Sequence, residues 1–307
     1  MRVALFGGTG FVGSYLTDAL LAAGHEPVLL VRPGSESRVR HAERCRLVPG
    51  DIGDSAAIAA TLKNCDASIW LIGILRERPR EGVTFRALQF EAARRVIDAA
   101  AAQRVPRFLL MSANGVEAEA TPYQRSKIAA ERHLAGSGLS GTVFRPSVVF
   151  GDPRGRMEFC TQLRDQMIRP PLPAPAFFTG LSPTKGSFSM SPVFVEDVAA
   201  AFVRSLEHAG SIGATWELGG PDTLIWPEII RRIASACDRR KLIVPVPLLP
   251  LRLAASVFDR FDFFPVTRDQ LTMLAQGNVV TSHAGFETLK ITPAHFSGER
   301  LAYLQGG

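Results

Sequence analysis

Residues 2–13 read Arg2-Val-Ala-Leu-Phe6 followed at once by Gly7-Gly-Thr-Gly-Phe-Val-Gly13. A short apolar strand runs into a glycine turn, and an amphipathic stretch over 11–23 follows. The spacing satisfies both GxxGxxG (Gly7, Gly10, Gly13) and GxGxxG (Gly8, Gly10, Gly13). Glycines there allow the tight turn and let backbone approach a pyrophosphate at the positive end of the next helix. The pattern alone is weak, because a plain tight turn between strand and helix can carry it. Its context, strand before and helix after, is what a dinucleotide site requires.

Working outward, apolar runs at 27–31, 46–48, 67–72, 107–111 and 142–144 alternate with helical patterns at 55–63, 84–103 and 121–136. Strands alternating with helices of this length predict a doubly wound parallel sheet of the Rossmann type, in an α/β chain. The pattern breaks after Phe150, where 151–191 carry six prolines and several glycines. Strand and helix return over 192–206 and a further strand over 215–218. From Trp226 on the chain reads as mostly helical, apart from a strand over 242–246. The expected division is a dinucleotide-binding domain of 1–150 with about 192–225. A smaller C-terminal substrate or interaction lobe takes about 151–191 and 226–307.

The length of 307 residues suffices for one large or two smaller units, and 46% hydrophobic with 21% charged residues excludes a disordered chain. No apolar run exceeds about 10 residues, so no membrane span of about 20 is expected. The first strand begins at Arg2, which leaves no room for a targeting segment and predicts a cytoplasmic protein. The net charge of +6 and pI near 9.5 come from 35 Lys and Arg that are scattered along the chain. A solvated basic surface accounts for them and no nucleic acid is expected; attraction to an anionic ligand or acidic lipid is the other reading. Cys45, Cys65, Cys160 and Cys237 form no CxxC pair and the histidines no HExxH, so no metal site is expected.

Which dinucleotide binds turns on the end of the second strand, where an NAD site carries an acid about 20 residues on. Here Arg32 stands 19 positions after Gly13, with Arg38 close in sequence. A guanidinium pairs with a 2′-phosphate, which predicts NADP(H) over NAD(H). Asp51, closing the third strand, is a candidate acceptor for the adenine amino group, with Ile52 against the ring. A turn or helix-start carboxylate is the plainer reading of Asp51.

Tyr123-Gln-Arg-Ser-Lys127 is the second chemical signal in a chain with only three tyrosines. On a helix, positions i and i+4 share a face, so phenol and ammonium can meet one cofactor ribose. A phenol with its ordinary pKa of about 10 is a poor acid–base group near neutrality. A nearby ammonium and the nicotinamide cation are expected to lower it. Ser112 ends the strand over 107–111, placed to hydrogen-bond a substrate carbonyl. The plainer reading is a surface helix with an incidental Tyr/Lys pair.

Together, GGTGFVG, Gly50-Asp-Ile, Ser112 and Tyr123-x-x-x-Lys127 resemble the short-chain dehydrogenase/reductase superfamily, in its extended and atypical branch. Arg145-Pro-Ser-Val-Val-Phe-Gly151, Pro192-Val-Phe-Val-Glu-Asp-Val198 and Glu217-Leu-Gly-Gly-Pro221 extend the likeness over nearly the whole chain. Leu71-Ile-Gly-Ile-Leu-Arg76 and Thr267-Arg-Asp-Gln-Leu with Asn278-Val-Val280 resemble bacterial relatives of the NADPH-binding accessory subunit of respiratory complex I. The resemblance implies Tyr123 as acid–base residue, Lys127 as ribose holder and Ser112 as substrate orienter. It implies cofactor contacts from Gly7, Thr9, Gly10, Phe11, Val12, Gly13, Ile72, Pro146 and Val148. It departs at Gln89, where many catalytic members carry an Asn.

Three functions stay open at this point. One is an NADP(H)-dependent oxidoreductase, or a sugar-nucleotide-epimerase-like enzyme, acting on a small apolar carbonyl or hydroxyl compound. The second is an accessory or assembly protein of a respiratory complex whose NADPH stabilises without reacting. The third is a binding protein that senses NADPH. An apolar stripe of Leu251, Ala254, Ala255, Phe258 and Phe261, with Phe263-Phe264-Pro265 after it, reads first as lobe core. It otherwise faces a long apolar substrate, or is a peripheral contact to a membrane or respiratory assembly, which would put the protein at the inner membrane face. Phe177, Phe178 and Phe188 suggest apolar lining in the 151–191 insertion.

Overall fold

The computed structural model describes residues 1–116, 121–179, 186–249, 272 and 276–305. In chain order the elements are β1 (Arg2–Phe6), α1 (Phe11–Ala22), β2 (Glu26–Val31), β3 (Arg46–Pro49), α2 (Ser55–Leu62), β4 (Ala67–Trp70) and α3 (Ala92–Ala102). There follow β5 (Arg107–Met111), α4 (Pro122–Ala135), β6 (Ser140–Pro146), β7 (Val149–Phe150), α5 (Phe159–Leu163), β8 (Ala174–Phe178), β9 (Ser189–Met190) and β10 (Val193–Phe194). The last are α6 (Val195–Ser205), β11 (Thr215–Leu218), β12 (Leu224–Ile225), α7 (Trp226–Ala236), β13 (Ile243–Pro247) and α8 (Ala284–Thr288).

The chain divides into two compact units, the first comprising Met1–Pro146, Val195–Leu218 and Ser282–Thr292. Its seven strands pair in parallel in the order β11-β6-β5-β4-β1-β2-β3. This is the doubly wound sheet expected from the sequence, and its order reverses between β1 and β4. Helices on both faces account for strands that are apolar at successive positions, β4 being buried throughout. On one face Phe6, Leu30, Trp70, Phe108 and Leu110 pack with Ile58, Val96 and Ile97 of α2 and α3. On the other face Phe144 stacks on Phe202 of α6, with ring centroids 4.4 Å apart.

Two details differ from the sequence reading. The helix expected over 84–103 is interrupted by a π-helical turn, Arg86–Glu91, before α3 begins. Period alone could not show this, since an extra residue per turn leaves the apolar stripe nearly continuous. Second, Arg107 is buried with no carboxylate partner among the described residues; its Nη2 donates to Thr142 Oγ1 (2.7 Å), Ser211 Oγ (2.6 Å) and Ser205 O at the C-terminus of α6 (2.9 Å). Burial pulls this guanidinium down to about 10.

The second unit comprises Ser147–Phe194, Gly219–Thr281 and Pro293–Gly307. The proline-rich insertion is more ordered than its composition predicts: β8 pairs with β13 in parallel, and β9 with β12 antiparallel. Phe159, Phe177 and Phe188 gather on Trp226, whose indole N–H donates to Pro175 O at 3.0 Å. Two of the three phenylalanines expected to line an apolar site thus pack into the unit's own core. After Trp226 the described residues carry α7 and the expected strand as β13, and 250–271 with 273–275 lie outside them. Past β13 the described residues include helical positions at 248–249, 272 and 276, α8, and a 3-10 turn at Ala302–Leu304. The Leu251–Phe261 stripe, Phe263-Phe264-Pro265 and residues 267–271 lie outside the described residues.

Candidate active site

The turn after β1 is built for close approach. Gly7 sits at φ +99°, in the region that favours glycine, and Gly10 N–H donates to Gly7 O at 3.0 Å. A Cβ at Gly13 would lie 2.2 Å from Gly7 O and 2.7 Å from Gly8 Cα, so α1 packs directly on the turn. Helix α1 starts at Phe11 with Gly10 as its cap, no side chain bonds the cap, and no acid occupies its first turn. Its leading amides and positive dipole end therefore face an anion-ready position. Thr9, Phe11 and Val12 are half-buried at this turn, and Phe11 meets Tyr15 edge to face.

The segments that follow β2, β3 and β4 surround the same edge of the sheet. Arg32 is exposed just past β2 and makes no ion pair among the described residues. Asp51, also exposed, accepts the Gly53 N–H at 2.9 Å, which is the turn role foreseen beside the adenine one. Ile52 is buried in the core of the sheet face. Ile72 is half-buried beside Gly7, where a Cβ on the glycine would stand 3.3 Å from Ile72 Cγ1.

Helix α4 opens with a capping box: Thr121 Oγ1 accepts the Gln124 N–H, and Gln124 Oε1 accepts the Thr121 N–H. The box fixes the first turn, where Tyr123 stands with its ring edge to face with Phe85 at 5.5 Å. Tyr123, Lys127 and Glu131 are all buried, at i, i+4 and i+8 on one face. Lys127 Nζ donates to Met111 O at 3.2 Å, which pins it to the carboxyl end of β5. The next residue is Ser112, whose N–H donates to Phe144 O at 2.7 Å while its buried Oγ has no hydrogen-bond partner. A buried hydroxyl without a partner costs about 1–3 kcal/mol, and at a strand end a bound molecule can supply the missing bond.

Burial pushes the Tyr123 phenol up to about 12 and pulls the Lys127 ammonium down to about 8, the latter against the pull of Glu131. Without a cofactor, removal from water sets the phenol's direction; the lowering expected from the ammonium together with a nicotinamide cation belongs to the cofactor-bound site. Glu131 is held by Arg145 of β6 through Nε–Oε1 (3.0 Å) and Nη2–Oε2 (2.6 Å). Its charge is therefore shared, which leaves Lys127 under-compensated.

Gln89, on the π-helical turn, is buried and saturated: Nε2 donates to Ile74 O (2.7 Å) and Oε1 accepts Ser126 Oγ–H (2.7 Å). The sequence marked Gln89 as a departure but missed its partner Ser126, along with Phe85 and the Glu131–Arg145 pair. Helical period from Tyr123 through Lys127 to residue 131 is the signal that could have found Glu131. Pro146 ends β6 in the first unit, its carbonyl accepting the Asn114 N–H at 2.9 Å. Val148 lies in the second unit, its carbonyl accepting the Val193 N–H at 2.9 Å. Among the described residues no His, Cys, Asp or Glu cluster could hold a metal.

The geometry fits a dinucleotide: a glycine turn on which the helix packs too closely for a Cβ at Gly13, a helix start with no side-chain cap, and a buried hydroxyl beside the Tyr/Lys face. Comparison with known proteins agrees with this. Subunit 9 of the NADH dehydrogenase [ubiquinone] 1 alpha subcomplex, mitochondrial, from Arabidopsis thaliana is 27% identical over 331 aligned residues, covering 98% of this chain and 76% of that protein. Ceramide reductase of Caulobacter vibrioides is 27% identical, over 84% of this chain and 77% of its own. Among solved structures, UDP-glucuronic acid 4-epimerase from Bacillus cereus, in complex with UDP-glucuronic acid and NAD, superposes with a TM-score of 0.73 at 16% identity, covering 99% and 98% of the two chains. The likeness to complex I accessory subunits drawn from the motifs is therefore borne out. The profile of the NAD(P)H-binding family matches residues 7–168, and the chain belongs to that family of Rossmann-fold proteins.

Proposed function

We propose that the protein is an NADP(H)-dependent oxidoreductase, or an epimerase-like enzyme, of the short-chain dehydrogenase/reductase type, acting on a small apolar carbonyl or hydroxyl compound. The observation that carries this is the buried, partnerless Ser112 Oγ next to the Lys127–Met111 anchor, with Tyr123 one turn earlier on the same helix face. NADP(H), when bound, supplies the hydride donor or acceptor. The glycine turn and the start of α1 hold its pyrophosphate, and Arg32 pairs with the 2′-phosphate. Lys127 holds the ribose. Ser112 donates a hydrogen bond to the substrate oxygen, and Tyr123 passes a proton to or from it. With its phenol near 12 the tyrosine is protonated at neutral pH, which suits the donor role in carbonyl reduction. The name of the Caulobacter relative supports an apolar substrate.

A second reading is a non-catalytic, NADPH-binding accessory or assembly protein of a respiratory complex, or a sensor of NADPH. Similarity to a complex I subunit over 98% of this chain supports it, as does Gln89 in the place of an Asn. Either reading suits a cytoplasmic location at the inner membrane face. Calorimetric titration tests the cofactor assignment: NADPH is expected to bind more tightly than NADH. Loss of one charge-assisted contact in Arg32→Ala is expected to narrow the gap by roughly 1.5–3 kcal/mol. Equal affinities in the wild type sink the NADP(H) assignment.

A further inference from the structure

In the second unit, the parallel pairing of β8 with β13 begins at Ala174 and Ile243, so residues 169–173 and 238–242 enter the pair side by side. The sequence there reads Arg169-Pro-Pro-Leu-Pro173 and Asp238-Arg-Arg-Lys-Leu242. Basic groups of one strand lead tie down the other. Lys241 Nζ donates to Ile168 O at 3.1 Å and to Pro170 O, and Arg239 Nη1 donates to Arg169 O at 3.3 Å. The two segments wall a cavity of about 650 Å³.

This arrangement presents apolar tips and basic groups together. Leu172 and Leu242 are each 69% exposed, although both stand in ordered segments held by these bonds. What distinguishes them from the other exposed apolar side chains is their place beside one cavity among several cations. Around them lie Arg169, Arg239, Arg240 and Lys241. Counting Arg164 as well, five cations meet only two carboxylates, Asp165 and Asp238. The excess of three charges is half of the chain's net +6, concentrated in two short segments. Asp165 is engaged by Arg164 (2.9 Å) and Arg169 (3.0 Å), whereas Arg240 makes no ion pair among the described residues.

We infer that this edge is a peripheral docking site for a bilayer surface that carries anionic phospholipid. The leucines enter the headgroup and acyl boundary, while the cations, Arg240 foremost, meet lipid phosphates. The two layers of the patch, apolar tips ringed by positive charge, match the two layers of such a surface. A single-stranded nucleic acid fits less well, because the patch has no aromatic side chain on which a base could stack. No described helix is long and apolar enough to cross a membrane, so the contact is one of surface attachment. The inference goes beyond the cofactor reading and does not depend on it.

Flotation with vesicles tests it. The full-length protein is expected to float with phosphatidylcholine vesicles containing phosphatidylglycerol and not with phosphatidylcholine alone, and to be released by high salt. Arg240→Ser is expected to weaken binding roughly fivefold, the effect of one charge lost near an anionic surface. Leu172→Ser/Leu242→Ser is expected to cost about tenfold at unchanged charge, from lost apolar burial. Both variants should keep the wild-type melting temperature and NADPH affinity, and the salt release needs no variant at all. Absence of binding, equal binding to both vesicles, or a leucine variant that floats like the wild type overturns the proposal. So does displacement from the vesicles by single-stranded RNA at equal phosphate. A failed NADPH titration with intact vesicle binding would count against the cofactor reading alone.

Discussion

The turn after β1 and the buried face of α4, which the proposed function joins in one site, are made of opposite materials. The turn offers backbone: three glycines, an uncapped helix start, and no titratable group within it. The α4 face offers side chains held away from water in costly states, an ammonium pulled down to about 8 and a hydroxyl at Ser112 without a partner. The turn is made by close packing, so its function and its stability rise and fall together. The α4 face works against stability, and improving its packing should damage its use. Groups shifted this far by burial gather at functional sites, which accounts for the second arrangement under the proposed function.

Substitutions at the two places should therefore part company. Gly13→Val brings a Cβ to 2.2 Å from a carbonyl oxygen with only backbone to move. It is expected to cost about 3 kcal/mol or more of stability and to leave the NADPH titration flat, as read by chemical denaturation and calorimetry. Lys127→Met should also abolish tight NADPH binding, yet make the protein more stable by about 1–3 kcal/mol at pH 7. The sign follows from its value of about 8 in the folded protein against an ordinary 10.5. Below pH 8 both states carry the proton and the folded one bears the full burial cost. Between about 8 and 10.5 the unfolded chain binds more protons, so wild-type stability rises with pH. The gap between Lys127→Met and wild type should shrink across that window. A variant less stable than wild type at pH 7 would break the comparison.

The smallest effect is expected at Gln89. Gln89→Met keeps the volume, removes the bonds to Ile74 O and Ser126 Oγ, and should cost about 1–2 kcal/mol in thermal denaturation. Ser126 keeps its bond to Tyr123 O at 2.7 Å, so α4 should stay in register and NADPH affinity should hardly change.

Much of this was legible in the sequence for a physical reason. A turn that tolerates only glycine, and a parallel strand buried on both faces, must be written into the residues themselves, so β1 to β6 and the loop at Gly7–Gly13 were readable. Tyr123 and Lys127 could be placed on one helix face by spacing alone. What could not be read was anything decided by long-range burial. The π-helical turn at Arg86–Glu91, the Gln89–Ser126 bond, the partnerless Ser112 and the rise of the Tyr123 phenol depend on neighbours 15 to 40 residues away or more. Arg107, a buried cation satisfied only by hydroxyls and carbonyls, looked like any other arginine in a basic chain. In the second unit the prolines hid the β8–β13 pair, because extended proline segments resemble loops until a partner strand is known.

The central claim is that the α4 face does chemistry, and Tyr123→Phe tests it most directly. The substitution keeps the ring against Phe85 and removes only the hydroxyl. Apolar carbonyl compounds are to be screened by the loss of NADPH absorbance, with wild type and variant side by side and their NADPH affinities measured in parallel. The variant is expected to bind NADPH like the wild type and to turn over the best substrate about 10²-fold more slowly. Equal NADPH consumption by the two proteins would contradict a catalytic role for Tyr123.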